Sequence, residues 1–257
     1  MLITDEIRNV QWYDLEGPLL SEKMKDYDEY LALAILRYCY PDLYMDYEKL
    51  DGPDLQNKNG KHGVEVTLAT SEVLASVEGN YAKYQLSADT AQKEKLRSKI
   101  EKTGACIDPL GLSYPVENSQ QDKEKIRSVI QKKLSKLNSY REKGFEKMEL
   151  FIRFSGIPCI LSEASYIDLF AEAKGYETIY FTAPSCLMSY HQSDKIIECK
   201  SIPREDYDAL SVIARFTVDG KINIDSPIWT EYAVSDIRTI HIAFPGQAAV
   251  SGSENME

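Results

Sequence analysis

A short alternating run, Gly63-Val64-Glu65-Val66-Thr67-Leu68, most constrains what this chain can fold into. Val64, Val66 and Leu68 alternate with Glu65 and Thr67, the period of two that puts apolar side chains on one face of a strand and polar ones on the other. Ahead of it, Gln56-Asn57-Lys58-Asn59-Gly60-Lys61-His62-Gly63 reads as a polar turn of the kind that joins antiparallel strands. Eleven positions before Glu65 stands Asp54, after Pro53. The spacing predicts that one strand ends in a carboxylate and that the next carries another.

The surrounding pattern supplies layers for that sheet. Residues 22 to 39 read as a deeply packed helix, apolar nearly all round from Tyr30 to Leu36, with Ser21 as its N-cap and Pro41 as its stop. Leu43 to Tyr47 reads as a short strand. Helical stretches follow at about 72 to 84 and 90 to 102, then a loop from Gly104 to Asn118 rich in Gly, Pro and Asn. Residues 121 to 140 form the clearest amphipathic helix: Ile126, Val129, Ile130, Leu134 and Leu137 make one stripe, with Lys125, Lys132, Lys133 and Lys136 elsewhere. Such a stripe needs a sheet to pack on. Strands are expected at 148 to 154 and 177 to 181, with a helix at 163 to 174 between them. Beyond these, 195 to 200 and 211 to 218 read as strands of a β-rich extension, and the tail after Pro245 as frayed. The order predicts an α/β fold with a mixed central sheet flanked by helices.

Composition narrows the classes. A chain of 257 residues can bury a core without staples. The five cysteines, Cys39, Cys106, Cys159, Cys186 and Cys199, show no zinc-type spacing and read as buried hydrophobes in a reducing compartment. No stretch approaches the roughly 20 apolar residues of a membrane span, and the first residues lack a signal-peptide pattern, so the expectation is a cytoplasmic protein with no membrane partner. Net charge is −11, which repels polyanions at long range. The distribution is uneven, however: Lys93 to Lys147 holds fourteen Lys/Arg against eight Asp/Glu, a net +6 that leaves −17 for the remainder. Either this segment is solvated helix surface, or part of it faces phosphate. No phosphate loop, GxSxG elbow or HExxH occurs, which removes NTPases, α/β-hydrolases and zincins. The three histidines share no helix face, although His62 stands close enough to Glu65 to contact a phosphate. Tyr38, Tyr40, Tyr44 and Tyr47 read as core.

Pro53-Asp54 followed by Glu65-Val66-Thr67 resembles the PD-(D/E)xK nuclease superfamily, with Thr67 where that motif has Lys. The element order over residues 22 to 182 is similar to that superfamily's core. The resemblance implies a restriction-endonuclease-like core over 1–182 with a helical insertion at about 85–120, and a β-rich extension over 183–257 that belongs to the same domain. It implies Mg²⁺ or Mn²⁺ held by Asp54 and Glu65, with Glu29 of the first helix as a further ligand and Glu72 and Glu78 as weaker candidates. Oxygen-only ligands suit such a hard cation. Thr67 can hydrogen-bond a metal-bound water, and the missing cation is sought at Lys133 or Lys132, then at Lys83. Lys132, Lys133, Lys136 and Lys83 are the candidate nucleic-acid contacts, with DNA ahead of RNA. The implied activity is metal-dependent phosphodiester hydrolysis. A second reading keeps the fold without catalysis, binding nucleic acid or a protein partner in a bacterial defence or mobile-element system. A third is an acidic interaction protein. A homodimer stays open, as does the plainer view in which Asp54 is a turn residue and Glu65 points to solvent.

Overall fold

The computed structural model describes residues 19–108, 111–114, 118–154, 162–183, 186–226 and 228–231. In chain order its elements are α1 (Met24–Cys39), α2 (Pro41–Tyr44), β1 (Tyr47–Lys49), β2 (Leu55–Asn57), β3 (His62–Ala69), α3 (Glu72–Leu86) and α4 (Thr90–Glu101). Then come β4 (Cys106–Asp108), β5 (Gly111–Ser113), α5 (Ser119–Leu134), α6 (Leu137–Glu142), β6 (Lys147–Phe154) and α7 (Glu163–Ala171). The last are β7 (Thr178–Ala183), β8 (Cys186–His191), β9 (Ile197–Ser201), α8 (Arg204–Val218) and α9 (Ile228–Glu231).

Seven strands form one mixed sheet in the order β1-β2-β3-β6-β7-β8-β9. The central pairs β3–β6 and β6–β7 are parallel, and both flanks are antiparallel. Parallel neighbours need crossovers, and helices supply them. Period two then divides the core. Val64, Val66, Phe151, Tyr180 and Leu187 face one layer, with α1 and α8. Leu150, Ile152, Phe154, Ile179 and Phe181 face the other, with α5 and α7. The buried Asp28 of α1 meets Arg153 of β6 at 2.6 Å, so the first helix is tied to the sheet by charge as well as by apolar burial.

The α/β class and the mixed, helix-flanked sheet agree with the sequence reading, while several elements correct it. The stretch expected as a strand from Leu43 to Tyr47 instead ends the one-turn helix α2, turns at Met45 and Asp46 and reaches β1 only at Tyr47, because Pro41 opens a new helical turn, its missing N–H being unneeded there. The α1 helix follows a 3₁₀ turn at Ser21–Lys23, and its N-cap is Lys23, with no side-chain cap bond, rather than Ser21. The amphipathic stretch 121 to 140 is two helices, α5 and α6, broken after Leu134. Residues 211 to 218 are helical, not a strand: they end α8, whose Ala209, Leu210, Val212, Ile213 and Ala214 are buried against the α1 layer. A strand missed in the sequence, β8, lies between β7 and β9, so the chain after 182 completes the central sheet and covers it. The loop at 104 to 118 includes the β4–β5 hairpin. Cys106 is exposed and Cys186 half-buried, against the expectation of buried thiols, whereas Cys39 and Cys199 are buried. Cys159 and the tail after Pro245 lie outside the described residues.

Candidate functional site

Asp54 does not end a strand; it immediately precedes β2, and its placement rests on a close backbone approach. A Cβ at Gly63 of β3 would lie 2.2 Å from Pro53 Cγ, so only glycine lets the Pro53 ring lie against the strand. Asp54 is thereby held along β3, where its Oδ2 accepts a 2.8 Å hydrogen bond from the Val66 backbone N–H. The side chain is buried, and its fixed partner is main chain.

Glu65, on the polar face of β3, has no solvent exposure, which overturns the plainer view of a solvent-facing carboxylate. Three donors satisfy it. Lys133 Nζ is 2.6 Å and Lys136 Nζ 2.7 Å from Oε1, and Tyr140 donates its hydroxyl to Oε2 at 2.6 Å. Lys133 Nζ also donates to the Val66 carbonyl at 2.6 Å and stands 3.7 Å from Asp54 Oδ2. One ammonium thus sits among a carboxylate, a main-chain carbonyl and a second carboxylate. Tyr176 donates to the Lys133 carbonyl at 3.0 Å, fixing the helix end that carries the lysine. Burial, then the hydrogen bond to Glu65, push the Tyr140 hydroxyl far above its ordinary range, so it stays a donor.

Glu29 of α1 completes the acidic group. Lys25 Nζ is 3.1 Å from its Oε1 and 3.5 Å from Asp54 Oδ1, and Lys49 Nζ is 3.1 Å from its Oε2. Glu29 Oε1 is nevertheless a buried oxygen with no hydrogen bond of acceptable geometry. Burial, then the charge of nearby Asp54, push the Glu29 carboxyl up to about 7.

The structure therefore brings together Glu29, Asp54, Glu65, Lys133 and Lys136. Thr67 follows Glu65 on the same strand, half-buried and paired with Ile152 of β6. Lys132 and Lys83 are exposed and join none of these carboxylates. Glu72 is exposed, and Glu78 instead accepts from Tyr114 at 3.3 Å, so neither joins the group. Lys136, expected as a phosphate contact, is engaged with Glu65. Tyr140, Lys25 and Lys49 were not foreseen. For Tyr140 and Lys136 a signal existed: positions 133, 136 and 140 recur at helical spacing and share a face.

The donor set is oxygen from three carboxylates and a main-chain carbonyl, the chemistry that suits Mg²⁺ or Mn²⁺. Lysines bridge these carboxylates, and among the described residues no group of three or more His, Cys, Asp and Glu is placed to hold a metal ion. Among the described residues no helix is long and apolar enough to cross a membrane. No family model, no curated protein and no solved structure matches the chain.

Proposed function

We propose that the chain is a divalent-metal-dependent nuclease of the PD-(D/E)xK type, hydrolysing phosphodiester bonds of nucleic acid, DNA ahead of RNA, at the Asp54–Glu65–Lys133 group. The observation that carries this reading is the position of Lys133 Nζ, 2.6 Å from Glu65 Oε1 and from the Val66 carbonyl, and 3.7 Å from Asp54. A cation missing from the third motif position is thereby supplied from a helix that packs on the same strand. Asp54, Glu65 and Glu29, with the Val66 carbonyl, would hold the ion. Bound Mg²⁺ supplies Lewis acidity toward a phosphoryl oxygen and lowers the pKa of a coordinated water. Tyr140 and Lys136 keep the Glu65 carboxylate oriented when Lys133 turns toward substrate, and the four-carbon lysine stem permits that swing. Thr67 offers a hydroxyl two residues along the same strand, able to accept or donate to water.

Incubation of the chain with Mg²⁺ or Mn²⁺ and mixed DNA and RNA tests the reading. Cleavage is expected for the wild type and loss of it for Asp54→Asn and Glu65→Gln. Lys133→Met should lose cleavage yet keep stabilisation by the ion, about 2.7 kcal/mol at a hundredfold excess over Kd. Cleavage undiminished in the two carboxylate variants would remove the proposal.

One observation favours the non-catalytic reading: Glu65 already has three protein donors and needs no metal for neutrality. Calorimetry separates the two. Absent ion binding together with retained nucleic-acid binding selects the inactive module.

A further inference from the structure

The segment between β3 and α5 carries a second feature that the carboxylate site does not use. A groove of about 790 Å³ opens between α3, α4 and the β4–β5 hairpin, lined by Tyr81, Tyr84, Lys93, Arg97, Ile107 and Asp108, among others. That volume falls in the range of about 300–1,000 Å³ found for small-ligand sites. Two tyrosines one helical turn apart on α3 lie nearly parallel, their centroids 6.2 Å apart and their planes at 13°. From α4, Lys93 Nζ and Arg97 Cζ lie over the Tyr84 ring, 5.6 and 5.7 Å from its centroid. Arg97 Nη2 donates to the Tyr84 hydroxyl at 3.0 Å, which fixes the guanidinium beside the ring. Its buried Nε has no hydrogen-bond partner in the protein. Opposite, Gly111 presents no side chain, and even an added Cβ would stay 3.8 Å from the Tyr81 hydroxyl.

Parallel aromatic faces with two cations beside them are what an unpaired base and its flanking phosphate require: a π-face to stack on, and positive charge for the backbone. Bases in a duplex have no free face to offer. The α4 helix holds Lys93, Lys95, Arg97 and Lys99 against Glu94 and Glu101, a local positive excess in a chain of net charge −11. Ile107 adds an apolar wall, and Asp108, which accepts from Ser113 at 2.9 Å, an acceptor at the rim.

We infer that this groove binds single-stranded nucleic acid, stacking an unpaired base on Tyr84 and Tyr81 and pairing its phosphate with Lys93 and Arg97. In taking the partner as nucleic acid, the inference rests on the nuclease reading and assigns it a single-stranded substrate segment. The test is fluorescence anisotropy with a labelled oligothymidylate of about twelve nucleotides, the scale of single-strand sites, using the full chain in EDTA so that cleavage plays no part. Tyr84→Leu should weaken binding about fivefold to a hundredfold, the range of one lost base–aromatic stack. Tyr84→Phe should retain it. Lys93→Gln and Arg97→Gln should each reduce the slope of log K against log salt by about 0.7. The matching duplex should bind more weakly and be indifferent to Tyr84→Leu. Unchanged binding in Tyr84→Leu, or equal binding and equal sensitivity of the duplex, overturns the inference. So does competition by free thymidine monophosphate at the strand's own affinity, which would make this a mononucleotide site. Absent cleavage in Mg²⁺ with the Tyr84 effect intact removes the nuclease reading alone; cleavage that survives with no Tyr84 effect removes the groove alone.

Discussion

Lys133 lies in the last turn of α5, next to Leu134, and is buried with its ammonium on a carboxylate that has no exposure. Removing one partner of such a pair strands the other. Lys133→Met is expected to cost about 2–4 kcal/mol in urea unfolding without metal, moderated because Lys136 and Tyr140 stay on Glu65. The double variant Lys133→Met with Glu65→Gln should lose less than the sum of the two single changes, since the pair is coupled. Glu29 gives a pH signature. Its folded value, about 7, lies above the ordinary carboxylate value of about 4.3. The native state thus holds this proton more tightly than the unfolded chain. Its contribution is fully present below about pH 4 and is lost as pH rises through about 7. In chelator, the wild type should lose thermal stability between pH 5 and pH 8, and Glu29→Gln should lose less. Equal pH slopes would contradict this assignment. From the sequence, Asp54 and Glu65 were legible as candidates through the resemblance of their spacing to the PD-(D/E)xK motif, and Glu29 because an acid in an apolar helical run is costly without a partner. Lys133 was legible only as one of several lysines, since nothing local distinguishes a buried lysine from its exposed neighbour Lys132.

At the scale of elements, the site depends on how closely the Pro53-Asp54 segment approaches β3. Gly63→Ala would place a methyl 2.2 Å from Pro53 Cγ and 3.2 Å from Met148 Sδ. Neither the ring nor the neighbouring strand can give way freely, so overpacking of about 1–3 kcal/mol is expected. Because the displaced segment carries Asp54, divalent-ion affinity measured by calorimetry should fall although every carboxylate is still present. The break after Leu134 matters in the same way. Lys133 comes from α5, Lys136 from the break as the N-cap of α6, and Tyr140 from α6, and the 3.0 Å bond from Tyr176 to the Lys133 carbonyl anchors the junction. The strand at 62–69, with its clean alternation, was read correctly from sequence, whereas the helix with the clearest stripe, 121 to 140, is two helices. Other errors fell at Leu43–Tyr47 and 211–218, short apolar runs in which period two and period 3.6 cannot be told apart. Burial against α1 decided the second of these for helix.

For the whole molecule, residues 186–226 belong to the same structural body as the central sheet. Strands β8 and β9 extend the sheet from β7, and α8 covers α1, so the core that contains Val64 and Val66 also contains Leu210 and Ile213. A chain ending at residue 183 should therefore fail to unfold cooperatively and should expose apolar surface, as read by circular dichroism melting and dye binding. A sharp transition like that of the full chain would show the extension to be dispensable. By itself the sequence determined the α/β class, the acidic pair and the positive segment, because periodicity, composition and spacing are local properties of the chain. Tertiary structure alone decided which lysine meets Glu65, that Tyr140 joins it, that Asp54 is held by the Val66 N–H, and that two tyrosines and two cations converge on one groove. The Glu65 contacts join residues 68 to 75 positions apart and those of Asp54 and the groove join separate elements, so their pairing follows from sheet order and helix packing, which no single segment specifies.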